Sequence, residues 1–365
     1  MISENSFTRF GYDAESRVRS DLNKIVERLG EGTERTLILV GSYGRGEGGL
    51  RSDDDAPQPV NDYDIIVVTN SADQIEVDIA QLEQELAVPT LDVQIMDKGE
   101  LPTRPPTMFN YDLRYGGTVI YGDESIFQEL PNYEPAEITA HDAYILLTNR
   151  MAGVLGGLAN ERQATYRRTQ RIKLRLAWLD SLLIEAGEYE VEYKSKMSRV
   201  RELQEADRLN VRHGERLLEF ISEAYELKFE SLQSDSGLSG ELADDIRLTN
   251  AVSVPILERL FGPVSETAPY AKFLGSEFPS ARSIWNAFRL FQDGELSYRQ
   301  IPKASLYCSE TTVRLLVAAE LCNLVLPDQK YPNVRKIVEM LYSDQSITDR
   351  ERSKRVFKMW DCLFH

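Results

Sequence analysis

Apolar positions recur along this chain with two different periods, and the change from one to the other divides it. Over residues 13–29, Val18, Leu22, Ile25, Val26 and Leu29 return at helical spacing, and Gly30 follows as a stop. Three short β-prone runs come next, at 36–40, 63–69 and 91–95. Between the second and third, Ile75, Ile79, Leu82 and Leu86 share one face of a predicted helix over 71–86, which Pro89 breaks. Pro102, Pro105 and Pro106 predict a loop over 101–108.

Beyond this point the period is helical. Residues 124–135, with two prolines, read as a linker, and helices are predicted at 140–158, 165–186, 193–204, 214–229, 240–261, 280–291, 311–324 and 332–342. The expected fold class is therefore α+β: a sheet-and-helix domain over 1–135, then an all-helical domain over 136–365.

Composition adjusts this picture only in part. Hydrophobic content of 42% and charged content of 28% are those of an ordinary globular chain. No uninterrupted apolar run approaches the roughly 20 residues that cross a bilayer. The opening residues have no basic start followed by an apolar core, so no secretory signal and no membrane partner is expected. Cys308, Cys322 and Cys362 are odd in number and far apart, which fits a reducing, cytoplasmic setting and not a disulfide framework. With three histidines in all, a zinc site is not expected.

The net charge of −17 is concentrated early: residues 1–135 carry 26 Asp+Glu against 11 Lys+Arg, and the rest carry 33 against 31. An acidic first half disfavours a polyanion as bulk partner and suits divalent metal and a cationic or neutral ligand.

The chemistry is concentrated in residues 36–96. Asp62 and Asp64 stand two apart immediately ahead of Ile65-Ile66-Val67-Val68, so they project from one strand face. Asp92, in the next β-prone run, joins them if the two strands are neighbours. Converging carboxylates repel unless a cation lies among them, and a hard divalent ion with oxygen ligands is the natural one. Two such ions can align an attacking and a leaving oxygen for phosphoryl transfer. The first run ends in Gly41-Ser42, followed by Gly44, Gly46, Gly48 and Gly49, a loop suited to offering backbone N–H groups to phosphate.

Gly41-Ser42 with Arg45-Gly46-Glu47, then Asp62-x-Asp64, then Asp92, resembles the nucleotidyltransferase fold of the DNA polymerase β superfamily, in its small bacterial, archaeal and antibiotic-modifying forms. The resemblance implies a mixed sheet flanked by helices, closed by a short helix and a glycine-tyrosine-glycine strand near 116–122. It further implies that Asp62 and Asp64 hold two Mg²⁺ ions, with Mn²⁺ as a substitute. Asp92 would complete the metal site and take the acceptor's proton. Gly41 and Ser42 would contact the triphosphate, and Arg45 would face the nucleotide or brace the loop, with Glu47 structural. The implied reaction moves a nucleoside monophosphate, AMP from ATP by default, onto a small hydroxylated acceptor. The rivals are a toxin- or regulator-type transferase acting on tRNA or protein, and a non-catalytic nucleotide-binding module.

The chain departs from the family in the long connection 43–61. Asp53 and Asp55 are an alternative acidic pair, but Ala56-Pro57-Gln58-Pro59 after them cannot form a central strand, so 51–60 is expected as a surface insertion. Arg167, Arg168, Arg171, Lys173 and Arg175 mark a basic face on the 165–186 helix. It is expected to be solvated, the alternative being contact with phosphates. Asp180, Glu185 and Glu188 are candidate acids from the later region, and Arg208 with His213 has a ribonuclease-like spacing. Tyr12, Tyr43 and Tyr63 are expected in cores, with base stacking as the alternative.

Overall fold

The computed structural model describes residues 6–9, 12–30, 35–53, 56–59, 61–70, 79–86, 90–209, 211, 214–229, 237–265, 269–271, 286–287, 289–290, 292, 309–326, 328, 331–342 and 347–364. They form two compact units. The first takes its described residues from 1–138, 187–199 and 225–236, the second from 139–186, 200–224 and 237–365.

A mixed four-stranded sheet forms the first unit's centre. Strand β1 (Thr36–Val40) pairs antiparallel with β4 (Tyr63–Thr69) on one side and with β6 (Thr118–Tyr121) on the other. Strand β5 (Leu91–Asp97) lies parallel to β4, giving the order β5-β4-β1-β6. Because side chains alternate, each strand supplies two cores. Leu37, Leu39, Tyr63, Ile65 and Val67 pack with Val18, Leu22, Ile25 and Leu29 of helix α1 (Tyr12–Leu29). Ile38, Val40, Ile66, Val68 and Met96 pack on the other face with Leu113 of the helix Met108–Gly116.

The predicted strands at 36–40 and 63–69 match, the third extends to Asp97, and β6 closes the sheet edge after a short helix. Within the predicted helix 71–86, the helix Ile79–Glu85 is present; 71–78 lie outside the described residues. The predicted loop 101–108 begins inside a 3₁₀ turn, Lys98–Thr103, where the Asp97 carboxylate accepts from the Gly99 N–H at 2.7 Å. Within the expected insertion at 51–60, the described residues lie in strands. Strands β2 (Leu50–Asp53) and β3 (Ala56–Pro59) make a separate antiparallel ribbon. A two-stranded ribbon has only edges, which is where Pro57 and Pro59 are tolerated.

The second unit is helical. Helix Ala140–Ala159 packs against the helices Ala164–Ala186, Leu242–Phe261, Glu310–Val325 and Asp349–Phe364. Helices Gly214–Phe229 and Pro332–Tyr342 match their predicted bounds; of 280–291 only four residues are described, all helical. The sequence reading omits Asp349–Phe364, although Val356, Met359, Trp360 and Leu363 have helical spacing and are buried.

The basic face of Ala164–Ala186 is corrected at two positions. Arg175 is fully buried, with Nε donating to Asp245 at 2.8 Å and Nη1 to Glu223 at 2.5 Å, and Arg171 donates to Asp245 at 2.6 Å. The buried Asp245 carboxylate on a neighbouring helix holds both cations inward, which a single-helix pattern cannot reveal. Among the described residues no helix is long and apolar enough to cross a membrane.

Candidate active site

The parallel register of β4 and β5 sets Asp64 directly beside Asp92, and the antiparallel register of β1 sets Val40 beside Asp64. All three belong to the face that carries Ile38, Ile66 and Met96. At the end of β1 the chain turns with Gly41 at φ +66°, where a β-carbon would overlap the Asp64 Oδ2. The glycine is thus required twice, by its left-handed backbone and by the carboxylate against it.

Gly41, Asp64, Asp92, Arg45, Phe109 and Asp112 border a cavity of about 250 Å³. Asp64 is half-buried and Asp92 exposed. Asp62 is half-buried one residue before β4 and is not among the described residues of that wall. Among the described residues no three His, Cys, Asp or Glu side chains gather into a metal-holding group. The sequence-derived trio is therefore brought together as a pair, Asp64 with Asp92.

The glycine-rich loop differs from the expectation. Gly41–Gly44 forms one helical turn, and the N–H groups after it are taken by the chain itself. Gly46 N–H donates to Tyr43 O at 3.1 Å, Glu47 to Ser42 O at 2.8 Å, Gly48 to Phe7 O at 3.1 Å and Gly49 to Asn61 Oδ1 at 2.7 Å. These amides therefore brace the loop. Ser42 is buried and outside the described cavity wall.

Arg45 occupies the centre of a buried charge network. It pairs with Glu47 at 3.2 Å and with Asp112 at 3.6 Å. Glu47, itself buried, also takes Arg9 at 2.5 Å and the Tyr193 N–H at 2.9 Å, so it ties three segments of the unit together. Asp112 accepts from the Tyr189 hydroxyl at 3.1 Å, and the buried Lys196 donates to that hydroxyl at 3.0 Å. Burial works against the Arg45 charge, but Asp112, Tyr193 and Glu47 outweigh it and hold the guanidinium above its ordinary value.

Arg45 also borders a second cavity of about 660 Å³, with Tyr111, Tyr115, Glu190, Glu192 and the glycines Gly116 and Gly117 around it. Burial, reinforced by Glu190, pushes the Tyr111 hydroxyl up to about 12. Tyr111 therefore stays a neutral hydrogen-bonding group at any ordinary pH.

Asp112 was missed from the sequence. Its signal is helical spacing: Met108, Phe109, Asp112 and Leu113 recur on one face of their helix, and all border the smaller cavity. Tyr43 and Tyr63 are fully buried, rings 4.8 Å apart, and serve the core. The Tyr12 side chain and His213 lie outside the described residues. Of the candidate acids, Asp180 is buried, Glu185 faces Arg259 at 3.7 Å and is held above its ordinary value by burial, and Glu188 pairs with Arg199. No protein-family model matches the chain, and no curated protein matches it.

Proposed function

We propose that the first unit is a nucleotidyltransferase of the DNA polymerase β type, moving a nucleoside monophosphate from a nucleoside triphosphate, ATP by default, to an acceptor hydroxyl. The observation that carries this reading is the in-register pair Asp64 and Asp92, with Asp64 packed against Gly41, bordering a cavity that Arg45 also borders.

The donor set fits Mg²⁺, which is commonly held by one or two carboxylates together with substrate phosphates and water. Asp64 and Asp92 would hold it, with Asp62, two positions along the same face, as the third carboxylate of the family pattern. When bound, such ions offset charge on the phosphates and on the leaving pyrophosphate. The chain's own groups do the rest. Arg45 offers a fixed cation to the phosphates, and Gly41 with Ser42 shapes the loop end beside them. Asp92 accepts the acceptor's hydroxyl proton as the new oxygen–phosphorus bond forms and the α–β bridge breaks.

The 660 Å³ cavity supports a small acceptor over a polyanion, because tyrosine hydroxyls and the Glu190 and Glu192 carboxylates suit a hydroxylated or cationic molecule. A second reading, nucleotide binding without turnover, is favoured by one observation: no three-carboxylate group is gathered among the described residues.

Pyrophosphate release distinguishes the two. The four nucleoside triphosphates are supplied with Mg²⁺ and a panel of aminoglycosides, sugars and bulk tRNA, with Asp64→Ala plus Asp92→Ala as control. Acceptor-dependent release that disappears in the control supports transfer. Tight triphosphate binding with no release under any acceptor supports the binding module.

A further inference from the structure

We infer that Phe109 is the stacking platform for the nucleobase of the bound triphosphate, an inference that rests on the nucleotidyl-transfer reading. Among the described residues around the 250 Å³ cavity, Phe109 is the aromatic one, and it shares that space with Arg45, Asp64 and Asp92. Phe109 is 37% exposed, whereas the apolar residues beside it, Val40, Ile66 and Leu113, are buried. An exposed phenyl ring at the edge of a charged cavity offers a flat apolar face for a planar partner.

The rival aromatics are engaged elsewhere. Tyr43 and Tyr63 are sealed in the core, and Tyr111 packs against Tyr115 at 4.7 Å and Tyr189 at 5.6 Å beside the larger cavity.

Phe109 is also held in place by the start of its helix. The Thr107 side chain accepts from the Asn110 N–H at 3.2 Å, Arg104 Nε donates to Asn110 Oδ1 at 3.0 Å, and Asn110 Nδ2 donates to Pro105 O at 2.9 Å. A residue in a capped and cross-bonded first turn presents its ring without a large ordering cost. Stacking is tolerant of base identity, since every base has a π-face, so purines should be affected alike.

The test is equilibrium binding of ATP, GTP and inorganic tripolyphosphate, each with Mg²⁺, to the full chain and to Phe109→Ala and Phe109→Trp, with thermal melts confirming that all three fold. The expected result is a loss of about 10-fold or more for ATP and GTP in the alanine variant. Tripolyphosphate binding stays unchanged and tryptophan restores the nucleotides. Equal loss for tripolyphosphate and ATP, or no loss for either, overturns the stacking role while native binding leaves the nucleotide site standing. Failure of the native chain to bind either ATP or tripolyphosphate overturns both the stacking role and the nucleotidyl-transfer reading.

Discussion

Gly41 has no room for a side chain, because a β-carbon there would overlap the Asp64 Oδ2. The end of β1 and the Asp64 carboxylate are thus one packed unit, and φ of +66° adds a backbone demand that only glycine meets cheaply. Gly41→Ala is expected to cost about 1–2 kcal/mol from the left-handed backbone alone, and to displace the Asp64 carboxylate as well. Urea unfolding together with triphosphate binding checks this; a variant as stable and as competent as the native chain would contradict it.

Arg175 should matter far more than its neighbours on the same helix. Arg175→Met leaves the buried Asp245 short of a partner and is expected to cost about 3–5 kcal/mol. Arg167→Ala, at an exposed position, should stay within about 0.5 kcal/mol. Denaturant midpoints of the two variants give the comparison, and similar midpoints would show that the ion pairs carry no weight.

Asp21 gives a pH dependence of definite sign. Burial holds its carboxyl above the ordinary value, against the pull of Arg17, Lys24 and the Tyr63 hydroxyl. The folded chain therefore holds this proton more tightly than the unfolded one. That contribution is complete below the unfolded value of about 3.9 and is lost as pH rises through the raised folded value. Asp21→Asn removes the dependence, so its stability relative to the native chain should improve as pH rises from about 4 through the raised folded value. A difference that stays flat or moves the other way refutes the assignment.

Cys322 should be chemically silent in the folded state. It is fully buried, and burial pushes its thiol up to about 12. A chromogenic thiol reagent at about pH 8 is expected to leave it unlabelled until denaturant is added. Rapid labelling of Cys322, located by peptide mapping, would contradict the packing around it.

The local parts of the fold were legible in the sequence because period and punctuation coincide there. Thr36–Val40 and Tyr63–Thr69 are β-branched runs between clear breakers, and Val18, Leu22, Ile25 and Leu29 write the buried face of α1 directly. Asp64 beside Asp92 was legible in the same way, as an acid on each of two strands. The partners of charged groups were not. Arg175 looks like any basic helix residue until Asp245, 70 positions later, is packed against it. The amides of Gly46, Gly48 and Gly49 look available until Tyr43, Phe7 and Asn61 are found holding them. Asp112 lay between these cases: its helical spacing from Met108 was visible, but its pairing with Arg45 depends on the fold.

The most direct test is Mg²⁺-dependent binding of ATP measured by titration calorimetry on the native chain, Asp64→Asn and Asp92→Asn. The carboxylate-pair account expects saturable binding by the native chain that weakens sharply on removal of Mg²⁺ and in each variant, with all three proteins melting alike. Binding that ignores both Mg²⁺ and the two substitutions, or no binding by the native chain, would contradict it.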